Sequence, residues 1–317
     1  MKQTTFASLA FDAKKKLTRR ERFLREMDQV VPWARLLKLI APHYPRAGNG
    51  RAPIPLETML RIYFLQQWFN LSDPAAEDSL YDIESMRRFC GIELSDNAVP
   101  DETTILNFRR LLERHRLTEA IFQAVNRLLA DKRLLLKSGT LVDATIISAP
   151  SSTKNEDRSR DPEMTQTRKG NQWYFGMKVH IGTDRQGIVH TVTTTTAKAA
   201  DIAQLPELLH GQESVVHGDR GYYSAEANRY LKKRGVRSRL QKRAAAGHPL
   251  TKTERARNKR WSSVRAFVEH PFHVIKRLWG FVKVRYRGLA KNTARVFALL
   301  ALANLYRVRH RLMPHGA

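Results

Sequence analysis

Two aspartates in this sequence occupy positions where a charge is costly. Residues 139–149, GTLVDATIISA, have the length and β-forming content of a buried strand, punctuated by Gly139 and Pro150, yet Asp143 sits in the middle. An ionised side chain in an apolar run must be paired or bind a metal, unless it points to water at a sheet edge. The pattern recurs in residues 214–223, SVVHGDRGYY, where a short β run breaks at Gly218 and delivers Asp219. Two acids from two strands of one sheet, in a chain crowded with positive charge, point to a divalent-cation site working on phosphate.

Such a site needs a third oxygen ligand, and the basic half of the chain offers only Glu254 and Glu269. Glu254 lies in TKTERARNKR, a charged and solvated segment. Glu269 lies in SSVRAFVEHPFHVIKRLWG, where Val264, Phe267, Val268, Phe272, Ile275 and Trp279 form a helical apolar face. Arg265, Glu269 and Lys276 are spaced four and seven residues apart and share one side of that helix. Taken alone, Arg265 and Glu269 make an ordinary i, i+4 salt bridge; beside Asp143 and Asp219, Glu269 becomes the candidate third acid. Arg265 and Lys276 are then candidates for phosphate contacts, the first bidentate and the second as a point charge. Lys169 and Arg220 are further candidates for contacts with DNA.

The 317 residues carry a net charge of +26 and a sequence pI near 10.6, which attracts a polyanion, most plausibly nucleic acid. Between positions 229 and 311 there are 24 Lys and Arg against Glu254 and Glu269, so +22 of the total lies there. The single cysteine, Cys90, excludes an internal disulfide and a cysteine-rich zinc site, and reads as a core residue. The first residues lack the apolar core of a signal peptide. The late apolar run at 296–305 is too short, and too flanked by arginine, to span a membrane.

The elements that must position these side chains change character along the chain. Residues 1–20 read as a basic arm and 21–132 as a helical, DNA-binding domain. There Leu56, Met59, Leu60, Tyr63 and Phe64 mark one buried face behind Pro55. Asp73 with Pro74 opens another helix, and Asp101 caps a third. From residue 133 to 317 the pattern is α/β, a mixed sheet flanked by helices. It consists of the Asp143 strand, a long loop over 151–171, a hairpin of 173–183 and 188–196, and a crossing helix over 200–209. The Asp219 strand, a helix over 224–234 and a strand over 236–240 follow. In this reading Asp201 caps the 200–209 helix in preference to serving as a fourth ligand, His180 and His217 are structural in preference to lying near the metals, and Trp173, Tyr174, Tyr222 and Tyr223 pack in the core, although an aromatic at a loop edge can also stack on a base.

The blocks VDATIISAP, GDRGYYS and VRAFVEHPFHVIKRLWGFVKVRYRGLAKN together resemble the DDE-type transposases of bacterial insertion sequences, in the insertion-sequence family 5 branch. The related signature is tyrosine, two residues, arginine, three residues, glutamate, six residues, lysine. Arg265, Glu269 and Lys276 fit that spacing, and Ser262 stands at the tyrosine place. The resemblance runs over essentially the whole chain. It implies a ribonuclease H-like catalytic domain over 133–317, with Asp143, Asp219 and Glu269 holding two Mg²⁺ ions, Mn²⁺ being able to substitute. It also implies recognition of terminal inverted repeats, cleavage of the DNA ends and joining of the 3′ hydroxyls to target DNA. A homodimer in the synaptic complex and a bacterial cytoplasmic, nucleoid-associated location follow from the same resemblance. Two alternatives remain open on the residues alone: a ribonuclease H-like nuclease that never joins ends, and a non-catalytic nucleic-acid-binding protein.

Overall fold

The computed structural model describes residues 11, 13–48, 52–154, 156, 158–244 and 247–313. Seven helices come first: α1 (Arg19–Val30), α2 (Trp33–Ile40), α3 (Leu56–Trp68), α4 (Asp73–Asp82), α5 (Glu84–Phe89), α6 (Glu102–Arg114) and α7 (Leu117–Asp131). Side-chain caps set their starts. Thr18 accepts from the Glu21 N–H, Ser72 from the Ala75 N–H, and Asp101 from the Thr104 N–H at 2.6 Å. Helix α3 is buried on nearly every side, Gln66 and Gln67 included, where the spacing of its apolar residues marked a single face. Of the basic arm, residues 1–10 and 12 lie outside the described residues. Its end is held in place: Lys14 pairs with Glu21 and sits 3.2 Å from the Phe11 ring centroid.

The second half forms one six-stranded sheet: β1 (Thr140–Ser148), β2 (Thr165–Lys169), β3 (Gln172–Thr183), β4 (Val189–Thr196), β5 (Val215–Gly218) and β6 (Arg237–Leu240). Strand β3 runs antiparallel to β1 and β4, while β1, β5 and β6 are mutually parallel. The order β4-β3-β1-β5-β6, three antiparallel strands joined to a parallel set, is ribonuclease H-like. Helix α8 (Ala225–Lys233) links β5 to β6; α9 (Lys252–Arg265), α10 (Glu269–His273) and α11 (Leu289–Leu312) follow.

Alternation along β1 sends Leu141 and Ile147 into the larger core, shared with α11 and the N-terminal helices. Val142 enters a smaller core with Val216, Tyr222 and Leu231 on the other face. Asp143 and Thr145, in phase with Leu141 and Ile147, therefore face the side from which α9 and α10 approach. Helix α11 packs against α7, α1, α3 and β4, with Val296 and the run from Ala298 to Leu305 buried. Among the described residues no helix is long and apolar enough to cross a membrane.

Three elements differ from the sequence reading. Residues 165–169 of the expected loop form strand β2 against the start of β3. The expected helix over 200–209 is two short 3-10 turns, Asp201–Gln204 and Pro206–Leu208, because Pro206 has no N–H to continue a helical ladder. The helix expected around Glu269 is broken. Helix α9 ends at Arg265, a 3-10 turn spans Ala266–Val268, and α10 passes into a π-helical turn at Val274–Leu278. Pro271, which cannot donate to the carbonyl four residues back, lies in that interruption.

Candidate active site

The parallel register of β1 and β5 brings the two aspartates together. Thr140 pairs with Val216 and Leu141 with His217; continued two residues further, the same offset sets Asp143 abreast of Asp219. Adjacent strands lie about 4.8 Å apart, so both carboxylates emerge at one end of the parallel pair. Gly218 closes β5 and Asp219 caps the 3-10 turn Arg220–Tyr222, its Oδ1 accepting from the Gly221 N–H at 2.8 Å.

Glu269 reaches the same place from the broken helix through a shared cation. Arg265 Nη1 donates to Asp143 Oδ2 at 3.1 Å, and its Nη2 donates to Glu269 Oε1 at 3.4 Å. The i, i+4 pair read from the sequence is thus present, and it is also a bridge to β1. Eleven residues on, Lys276 Nζ donates to Thr145 Oγ1 at 3.0 Å and to the Ile146 carbonyl at 3.1 Å. These contacts clamp the broken helix along β1 at two points, with Glu269 between them.

The electrostatics of Asp143 are those of an under-compensated charge. Burial pushes its carboxyl up to about 6; Arg265 and the Ala144 N–H oppose the rise, and Asp219 and Glu269 add to it. Burial, with Lys169 and Arg277 adding their charge, holds the Lys276 ammonium below its ordinary value. Lys169, exposed at the end of β2, is therefore electrostatically felt at Lys276. Arg220 is exposed beside Asp219.

Among the described residues no three acidic, histidine or cysteine side chains converge closely enough to cage a metal ion; the Arg265 guanidinium stands between two of the acids. The donors nevertheless suit a hard divalent cation in kind. All are carboxylate oxygens, and a cation beside Asp143 would relieve the repulsion and desolvation that raise its pKa.

The other sequence candidates separate. His217 is buried, its two ring nitrogens have no hydrogen-bond partner, and burial lowers its pKa to about 4. His180 is fully buried, with Nε2 2.8 Å from Thr195 Oγ1. Ser262 Oγ accepts from Gln241 Nε2 at 2.6 Å. Trp173 is 64% exposed, which overturns its reading as core, whereas Tyr222 is fully buried. Asp201 makes no helix cap. Its Oδ1 accepts from Lys178 Nζ at 2.9 Å. The sequence reading passed over Lys178, although it carries the signal that identified Asp143, a charge in an apolar strand (WYFGMKVHIGT).

Two family models match the chain. The one described as "Transposase DDE domain" covers residues 135–305, more than half of the sequence, and the one described as "Transposase domain (DUF772)" covers residues 11–111.

Proposed function

This chain belongs to the family of transposases with a DDE domain, and from that premise we propose that it binds the terminal inverted repeats of an insertion sequence, cleaves the DNA ends and joins the freed 3′ hydroxyls to target DNA. The observation that carries this reading is the Arg265 bridge between Asp143 and Glu269, at the end of the parallel strands where Asp219 also emerges. The spacing of Arg265, Glu269 and Lys276 supports placing the chain in the insertion-sequence family 5 branch.

Asp143, Asp219 and Glu269 would hold two Mg²⁺ or Mn²⁺ ions. Bound there, the ions supply Lewis-acid polarisation of the scissile phosphate and activation of the attacking oxygen. The chain's own residues do the rest. Desolvated Asp143 keeps negative charge out of bulk water, where its attraction for cations is strongest. Arg265 and Lys276 fix Glu269 against β1 and leave a cationic wall beside the acids. Lys169 and Arg220, both exposed, can meet phosphates on either side of the cut. The basic segment 229–311 supplies the sequence-independent grip. In the first step water displaces the 3′ oxygen from a backbone phosphate at the element's end. In the second, that 3′ hydroxyl forms a bond to a target phosphate as the target's own 3′ oxygen leaves. No bond to the protein is needed. Joining two ends at one target calls for a homodimer in the synaptic complex, acting on the bacterial nucleoid.

The test uses purified protein and labelled linear DNA carrying the element's own ends, with Mg²⁺ or EDTA, beside Glu269→Gln. Metal-dependent nicks at the ends plus joined products, both lost in the variant, are expected. Cutting with no joining would reduce the protein to a nuclease, and binding with no cutting under any metal would overturn the catalytic reading.

A further inference from the structure

Near Asp219 lies a further acid that the DDE set does not include. Asp201 opens the first 3-10 turn after β4 and is held by Lys178 of β3, whose Nζ also donates to the Ala199 carbonyl at 2.7 Å. Between Asp201 and Asp219 runs the bare backbone of Gly221. A Cβ at Gly221 would lie 3.0 Å from Asp219 Oδ1 and 3.5 Å from Asp201 Oδ2. Gly221 is not in the left-handed region, so the missing side chain answers to space and not to backbone conformation.

The residue that follows Gly221 carries a second feature. Tyr222 is fully buried, and its hydroxyl has no hydrogen-bond partner. Burial raises its pKa, and the carboxylates acting on it are Asp201 first, then Asp143 and Asp219. A buried hydroxyl left unmet costs about 1–3 kcal/mol. A bound ion or its hydration shell is one partner that would satisfy it. His180 does not supply a cation there: burial lowers its pKa to about 4, and its Nδ1 is 3.8 Å from Asp201 Oδ1.

We propose that Asp201 is a fourth carboxylate of the active site, forming with Asp219, across the bare backbone of Gly221 and with the buried, unpartnered Tyr222 hydroxyl in the adjoining residue, a subsite for a hydrated divalent cation. Lys178 then does for Asp201 what Arg265 does for Asp143 and Glu269, holding an acid in place and neutralising it until a stronger cation arrives. The inference rests on the metal-dependent reading above.

The test counts bound Mn²⁺ by the loss of its free electron-paramagnetic-resonance signal, on the full chain complexed with a duplex carrying the element's end. Asp201→Asn keeps an oxygen for Lys178 and removes the charge; Gly221→Ala fills the space and leaves the Lys178 pair intact. Both are expected to weaken one Mn²⁺ by tenfold or more, with thermal melting confirming the fold. Tyr222→Phe is expected to weaken it severalfold. Wild-type stoichiometry and affinity in folded Asp201→Asn and Gly221→Ala, with loss in Asp143→Asn, would overturn the fourth carboxylate and leave the metal reading standing. No Mn²⁺ bound by the wild-type complex would overturn both.

Discussion

Two of the arginines that each hold a pair of carboxylates, Arg109 and Arg265, are built differently. In the helical half Arg109 donates to Asp73 at 2.9 Å and to Glu113 at 3.1 Å, with its guanidinium 4.0 Å from the Tyr286 ring centroid. All three charged side chains are mostly buried, and Asp73 also accepts from Gln66 Nε2 at 2.8 Å. At the site Arg265 makes looser bonds of 3.1 and 3.4 Å, and the Glu269 side chain is 62% exposed. The first triad ties α4 to α6 and locks them. The second leaves one acid half in water and another with a raised pKa, which suits groups that must exchange partners. Similar residues thus form a closed lock in one place and a looser, partly exposed set in the other, and the surroundings decide which.

The largest effect that separates the two triads is on catalysis. Asp143→Asn or Asp219→Asn is expected to lower end cleavage by about 10³-fold or more, equivalent to ~4 kcal/mol of barrier. DNA affinity in a mobility-shift titration should stay near wild type. Arg109→Met should leave the chemistry of folded protein intact and cost about 3–5 kcal/mol in urea unfolding, since it strands two buried carboxylates. A loss below 1 kcal/mol there would erase the contrast.

A smaller effect follows from linkage at Asp143. Its folded pKa, about 6, lies above the ordinary aspartate value of 3.8. The folded state therefore binds more protons than the unfolded between those values, and stability falls as pH rises through the window. The cost is fully present above pH 6 and absent below pH 4. Without metal, Asp143→Asn should be more stable than wild type by about 2 kcal/mol or less at pH 8, the difference closing by pH 4. Equal stability at both pH values would mean that the carboxylate is not strained. The smallest expected effect is Arg265→Met, within about 1 kcal/mol of wild type in the same urea assay. Asp143, whose pKa is already raised, can take up a proton when Arg265 is lost, and the cleavage rate should nevertheless drop.

Much of this site was legible because each acid breaks a local rule. Asp143 is a charge in a strand, and Asp219 follows a glycine at a strand end. Glu269 was one of only two acids in a long basic stretch. Caps such as Asp101 were readable for the same reason, being decided within four residues. What could not be read depends on distant partners. Strand β2, TQTRK, is polar on both faces, and only pairing with β3 makes it a strand. Helix α3 shows one apolar stripe, yet α11, more than two hundred residues later, covers part of its remaining surface. Asp201 sits where a helix cap would, and its partner Lys178 is two strands away in the fold's connectivity. Lys276 has the spacing of a phosphate ligand, while two of its bonds go to β1.

Helix α11 has a consequence for the order of events in the cell. The elements it packs against, α1, α3, α7, β4, α10 and the π-helical turn at Val274–Leu278, all leave the ribosome before it does. Until its apolar run arrives, the larger core, to which Leu141 and Ile147 of β1 belong, lacks one of its largest contributors. The packing around the strand that carries Asp143 is therefore completed only when this helix arrives.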